Sequence, residues 1–144
     1  MNSGELAVWR SLLDTTTELR RRMATQLADD SKLSPGDYAV LLALSEAEGR
    51  RLRSSDLAAS MDWERSRLSH HLARMEKRGL IAREDCTTDN RGAEVLMTPA
   101  GAEAFAGATL PHLRAIKRHF ADALTPSQID ALGDALRAIN EHLG

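Results

Sequence analysis

Cysteine occurs once in this chain of 144 residues, at Cys86, so no disulfide within the chain can staple the fold. Aromatic residues make up only 3%, which leaves Leu, Ala, Ile, Val and Met to build the core. Leu and Ala are strong helix formers, so a mainly helical fold is expected. No apolar run approaches the roughly 18 residues that a membrane-spanning helix needs. The first residues, MNSGELAVWR, lack the basic stretch and apolar run of a secretory signal. The expectation is a cytoplasmic protein with no membrane association. Absent too are GxGxxG, a Walker loop, HExxH and CxxC, and nothing local makes Cys86 half of a nucleophile pair. No enzyme and no cofactor are expected. Apolar residues nevertheless reach 42%, enough to pack a core in one domain over 1–144.

Net charge is −2, which gives no general attraction to nucleic acid, but the charge is unevenly placed. Residues 50–91 hold ten basic and seven acidic side chains, against five and eight before them and four and six after. A basic centre between acidic ends suggests a local surface for a polyanion, although a solvated helix face can look the same.

Hydrophobic spacing divides the chain into elements. Leu12, Thr16, Leu19, Met23 and Leu27 recur in steps of three and four, a helical stripe within a helix over about 5–28. Ser34-Pro35-Gly36-Asp37 reads as a capped helix start, with Gly49 as the stop. Residues 53–61 read as a short helix capped by Ser54, and Asp62 as the cap of a longer one ending at Gly79. In that longer helix Leu68, Leu72 and Met75 mark the buried stripe, and Arg67, Ser69, His70 and Arg74 fall elsewhere. Residues 80–83 and 95–97 read as a β-hairpin with a long polar tip. A stripe from Phe105 to Leu124 follows, with Pro111 as a candidate kink. Thr125-Pro126-Ser127-Gln128 then opens a last amphipathic helix through Leu143.

A short helix joined by a tight turn to a longer polar-faced helix is a helix-turn-helix arrangement, and the basic hairpin after it is a wing. The second helix of such a motif enters the major groove. There arginine can bond guanine in two places, and serine and histidine can reach bases or phosphates. Asp89 and Arg91 at the hairpin tip fit a minor-groove contact, an arginine held by a carboxylate; alone, this pair also fits an ordinary exposed turn.

From Leu52 to Gly101 the sequence resembles the MarR family of bacterial transcription regulators. The matching segments are SSDLAASM, SRLSHHLARMEKRGLIAR and DNRGAEVLMTPAG, with Met97 where the family usually has leucine. The resemblance implies a mainly α fold with a small β-hairpin wing, a winged helix-turn-helix lobe over 34–99, and dimerisation helices over 5–30 and 100–144. It implies a homodimer reading palindromic double-stranded DNA as a transcriptional regulator, commonly a repressor released by a small effector. Carried onto this chain, Ser66, Arg67, Ser69 and His70 would meet bases, Ser54 and Arg74 phosphate, and Arg91 the minor groove with Asp89 as its support. His71 departs from the family, where that position is often apolar, and is expected to be partly buried or turned toward the backbone. Trp9, Arg20, Tyr38 and Trp63 are candidates for a pocket taking an aromatic or phenolic effector, or else ordinary core. His112 and His119 share a helix face but lack the further ligands of a metal site, so no metal is expected. Cys86 sits beside Glu84 and Asp85, which disfavour a reactive thiolate. A structural adaptor with a degenerate winged helix is the non-DNA alternative; it would be expected to lose the basic face and the wing arginine, and this chain keeps both.

Overall fold

The computed structural model describes residues 1–85 and 93–144. They divide into two compact units, 24–111 and 1–23 with 112–144, and helices α1 (Ser3–Ser31) and α5 (Pro99–His119) run through both.

In the unit 24–111, α2 (Pro35–Glu46) begins where the sequence predicts. Ser34 Oγ accepts from the Asp37 N–H at 3.0 Å, and Asp37 Oδ2 accepts from the Ser34 N–H at 2.9 Å, a complete capping box. The helix stops at Glu46, earlier than a Gly49 stop implies. Gly49 (φ 66°) instead turns the chain within a short 3-10 segment, Glu48–Arg50. This leads into β1 (Arg51–Arg53), a strand that the sequence reading missed.

Two predicted caps are also corrected. The N-cap of α3 (Ser54–Met61) is Arg53, so Ser54 is the first helical residue. Asp62 does not cap α4 (Arg65–Lys77), whose N-cap is Glu64. Asp62 closes α3 instead, in the left-handed region (φ 54°, ψ 44°), where its N–H reaches Ala58 and Ala59 carbonyls. A short polar side chain tolerates that conformation better than most. Gly79 (φ 77°) ends α4 as expected. The Gly79 N–H bonds Glu76 O, and the Leu80 N–H bonds Met75 O.

β2 (Ile81–Asp85) and β3 (Ala93–Met97) form the hairpin, and β1 adds to β3 to give an antiparallel sheet of order β1-β3-β2. Leu52 and Arg83 flank Val95 across the register. Arg51 holds the short edge by ion pairs to Glu84 at 3.3 Å and Glu94 at 3.8 Å. The core gathers Leu41 and Leu44 from α2, Leu57 from α3, Leu72 and Met75 from α4, and Val95 from the sheet.

The junction into α5 explains the Thr98-x-x-Gly101 segment. Thr98 Oγ1 accepts from the Gly101 N–H at 3.0 Å and donates to Gly79 O at 2.6 Å. A Cβ on Gly101 would stand 2.0 Å from Leu80 O, so only glycine permits this approach.

In the other unit, α6 (Pro126–Leu143) carries the second complete capping box, between Thr125 and Gln128. α5 ends at His119, and Phe120 (φ −121°, ψ −64°) leaves the helical region, so Leu124 lies outside the helix that its stripe suggested. Pro111 is accommodated inside α5. This unit leaves large apolar side chains exposed, among them Val8, Leu113, Leu136, Ile139 and Leu143. Among the described residues, no helix is long and apolar enough to cross a membrane.

Candidate nucleic-acid interface

The candidate surface is built on α4, anchored by one buried side. Leu68, His71, Leu72 and Met75 face the core. At 100° per residue, Ser66, His70 and Lys77 then point away from it, with Arg65 and Ser69 on one flank and Arg67 and Arg74 on the other. Arg65, Ser66, Arg67, Ser69, His70 and Arg74 are all exposed. The exposed surface of the helix is therefore polar and mostly cationic, with Glu76 as its acid.

Ser54 is half-buried at the start of α3. With Ser55, Arg65, Ser69 and Arg83 it lines a cleft of about 320 Å³ between α3, α4 and the sheet. Arg83 is braced by Glu76, whose carboxylate accepts from its side chain at 3.3 Å and from its backbone N–H at 3.2 Å. The Arg67 guanidinium lies over the Trp63 ring, 3.7 Å from its centre. Trp63 in turn meets His71 edge-on, with ring centres 5.3 Å apart at 84°. Asp89, Arg91 and Cys86 lie outside the described residues.

Beneath this face is a charged cluster that sequence reasoning missed. Asp37, singled out only as a capping residue, has Oδ1 2.9 Å from His71 Nε2 and Oδ2 2.7 Å from Arg78 Nη1. Arg78 Nη2 also donates to Lys32 O at 2.6 Å. His71 is buried, more fully than the partial burial expected of it. Its Nδ1 stands 3.3 Å from Arg74 Nη2, which suits a neutral ring accepting there and carrying its proton on Nε2, toward Asp37. The Nε2 contact lacks the alignment of a full hydrogen bond.

Burial holds His71 below its ordinary 6.5; the Asp37 charge pulls the other way, and Arg74 and Arg67 add to the lowering. For Asp37, burial works upward, but the Ser34 N–H and the Arg78 guanidinium outweigh it, so its carboxyl sits below the ordinary 3.8. No local signal could have paired Asp37 with Arg78, because 41 residues separate them.

The four candidate effector residues fall two in each unit. Trp9 and Arg20 are exposed on α1, eleven residues apart and so about 16 Å along the helix axis. Tyr38 packs on Phe105, ring centres 5.4 Å apart. Trp63 lines an open cleft of about 290 Å³ with Leu42, Ala43 and Met61, and Tyr38 is not part of it. Burial lowers the His112 pKa, and His119 borders a shallow cleft with Asp14, Glu18 and Arg22. Among the described residues, no three His, Cys, Asp or Glu side chains converge as a metal site would require.

Comparison with known proteins bears out the fold. Residues 31–92 match the sequence model of the MarR family. Sco3205, a MarR family transcriptional regulator from Streptomyces coelicolor solved in complex with DNA, is 37% identical with a TM-score of 0.91, over 100% of this chain and 94% of that one. AbsC, a MarR family transcriptional regulator from the same organism, is 37% identical with a TM-score of 0.90, over 99% of this chain and 96% of that one. A curated protein of Thauera aromatica, named for transcriptional regulation of the hcr operon, is 34% identical over 86 residues. That match takes in 60% of this chain and spans about half of the relative's length, 51%.

Proposed function

The chain belongs to the MarR family of transcriptional regulators, and from that premise we propose that it acts in the cytoplasm as a homodimer binding palindromic double-stranded DNA. It is a transcriptional regulator rather than an enzyme. The observation that carries the proposal is the polar, largely cationic outer face of α4, mounted on a buried apolar stripe. A rigid helix with such a face suits the major groove, where each base pair shows a distinct set of donors and acceptors. Ser66, Ser69, His70 and Arg67 are assigned to base edges, and Ser54 and Arg74 to phosphates. Asp89 and Arg91 of the wing are assigned to the minor groove on the family resemblance alone. The cleft of Ser54, Ser55, Arg65 and Arg83 offers hydroxyls, guanidinium groups and the first amides of α3, the donors that a phosphate oxygen needs.

Dimerisation is assigned to the unit of residues 1–23 and 112–144, whose exposed apolar side chains are what a second copy would cover. Two α4 helices related by a twofold axis then meet two half-sites about one DNA turn apart. Repression follows when the dimer covers a promoter, and a small aromatic effector that weakens binding would lift it. A coupling of about 1–3 kcal/mol suffices for that. Trp9, Arg20, Tyr38 and Trp63 are the residues proposed to meet such an effector.

The test is fluorescence anisotropy of the purified protein with DNA from its own upstream region and with a scrambled fragment, at two salt concentrations. Preference for the native fragment with affinity falling steeply in salt supports the reading. Absence of binding to either DNA at low salt overturns it and favours the adaptor.

A further inference from the structure

We infer that Trp63 determines base specificity by positioning Arg67, holding its guanidinium flat at the first turn of the recognition helix. The inference rests on the proposed DNA-binding reading and deepens it. Arg67 is exposed, yet its guanidinium carbon lies over the Trp63 ring, 3.7 Å from the centre, the spacing of two planar groups in contact face to face. A free arginine side chain samples many rotamers and loses that freedom on binding; one already stacked loses less. Stacking uses the face of the guanidinium. The N–H groups that bond guanine O6 and N7 point outward in its plane. The two contacts therefore use different parts of the same group, and the ring can orient Arg67 without competing for its donors.

Trp63 is itself fixed. Its backbone N–H bonds Ala58 O at 3.0 Å, which holds its backbone in the turn between α3 and α4. Its ring meets the buried His71 edge-on. On the α2 side, a Cβ at Gly36 would stand 2.9 Å from both Trp63 Cη2 and His71 Cε1, so glycine leaves just the room that the two rings occupy. The order runs from the α2 start through His71 and Trp63 to the tip of Arg67. It transmits a rigid core position to a surface side chain. Among the described residues, Ser66 and His70, which point away from the core beside Arg67, have no such support.

The experiment compares wild type, Trp63→Phe, Trp63→Leu, Arg67→Ala and the double variant Trp63→Leu with Arg67→Ala. Each is titrated against the upstream fragment and a panel in which every base pair is changed in turn, with salt dependence and thermal melting measured alongside. The expected result is a two- to five-fold loss of discrimination in Trp63→Leu, roughly the strength of an exposed cation–π contact. The loss falls at the base pairs that Arg67→Ala also relaxes. Trp63→Phe falls between Leu and wild type, the double variant discriminates no worse than Arg67→Ala, and the salt slope of Trp63→Leu stays that of wild type because no charge is lost. Should Trp63→Leu fail to fold, Trp63→Phe carries the test alone, with a smaller loss at the same base pairs.

A wild-type discrimination profile in the Trp63 variants, additive losses in the double variant, or a uniform weakening on all DNAs overturns the inference while leaving DNA binding intact. If wild type itself prefers no DNA over the scrambled control, the DNA-binding reading falls and takes this inference with it.

Discussion

Arg78 Nη1 donates a 2.7 Å hydrogen bond to Asp37 Oδ2, joining the residue that follows α4 to the first turn of α2. The carboxylate that completes the α2 capping box is thus also an anchor for α4. One oxygen serves the cap and Arg78; the other faces His71. The helix touches a single buried side chain at its middle, through His71, and is hydrogen-bonded to it just past its end, through Arg78. Any tilt of α4 therefore disturbs an ion pair and a helix cap together.

Asp37→Ala should accordingly cost more than an ordinary cap. Loss of the capping carboxylate and of the Arg78 bond is expected to destabilise the protein by about 2 kcal/mol. The figure is held down because Arg78 is partly solvated, its side chain 44% exposed, and returns to water when freed. Urea unfolding of wild type and variant measures this directly. A change below about 0.5 kcal/mol, the range of ordinary surface substitutions, would mean that the cluster does not restrain α4.

His71 predicts a pH dependence of definite sign. Its pKa is lowered in the folded state by burial and by Arg74 and Arg67, despite Asp37, so the unfolded chain takes up the proton first. Stability is then full above the unfolded value near 6.5 and falls as pH drops from there toward the lower folded value. His112, also lowered by burial, acts in the same direction. The variant His71→Gln isolates the first contribution: its melting temperature should fall less than that of wild type between pH 7.5 and 5.5. Parallel curves for the two proteins would show that His71 is not destabilised as a cation.

Much of this fold was legible because its signals are local. The Ser34 and Thr125 capping boxes, the Gly79 stop and the α4 stripe depend on neighbours within a turn or two, and each stands where the spacing placed it. β1 was not legible: Arg51-Leu52-Arg53 is a strand because β3 pairs with it and Glu84 and Glu94 neutralise Arg51. Asp62 misled for a related reason. Its residue type suits either a helix cap or a left-handed helix end, and the choice depends on where Trp63 must bond. Of the candidate interface, the outward polar residues follow from the helical period alone. The Asp37 cluster joins separate elements, and no spacing announces it. Trp63 and Arg67 stand four residues apart, a spacing at which side chains can meet, but residue type alone did not single the pair out.

Gly101→Ala is predicted to be among the most damaging single-methyl changes available. The new Cβ would lie 2.0 Å from a backbone carbonyl oxygen, Leu80 O, which cannot swing aside as a flexible side chain would. Relieving the clash must move α5 away from the β2 start and strain the Thr98 bonds to Gly79 and Gly101. A loss of about 3 kcal/mol is expected, at the upper end of common point-mutant effects. Gly107→Ala is the control, since a Cβ there meets nothing within 4 Å. In a helix interior that exchange should stabilise by about 0.5–1 kcal/mol. Thermal melts of the pair must move in opposite directions if the Gly79–Gly101 junction is as tight as the geometry states.

The proposed dimer can be tested without harming the fold of one chain. Leu136 and Ile139 on α6 are 50% and 48% exposed. A charge at either costs little in an isolated protomer, because the new side chain is solvated there. In a dimer that covers the same face, the charge would be buried unpaired, at a cost of several kcal/mol. Leu136→Asp together with Ile139→Asp should therefore leave the circular-dichroism spectrum unchanged while shifting sedimentation from dimer to monomer. DNA affinity should fall with it. In a dimer the second recognition helix binds at an effective concentration fixed by the first, which raises overall affinity by roughly 10²–10⁴ over one site. A monomer loses that factor even though every residue of α4 is intact. A double variant that sediments as a dimer and binds the native fragment like wild type would place self-association on another face. A variant that sediments as a monomer but keeps full affinity would separate DNA recognition from dimerisation altogether.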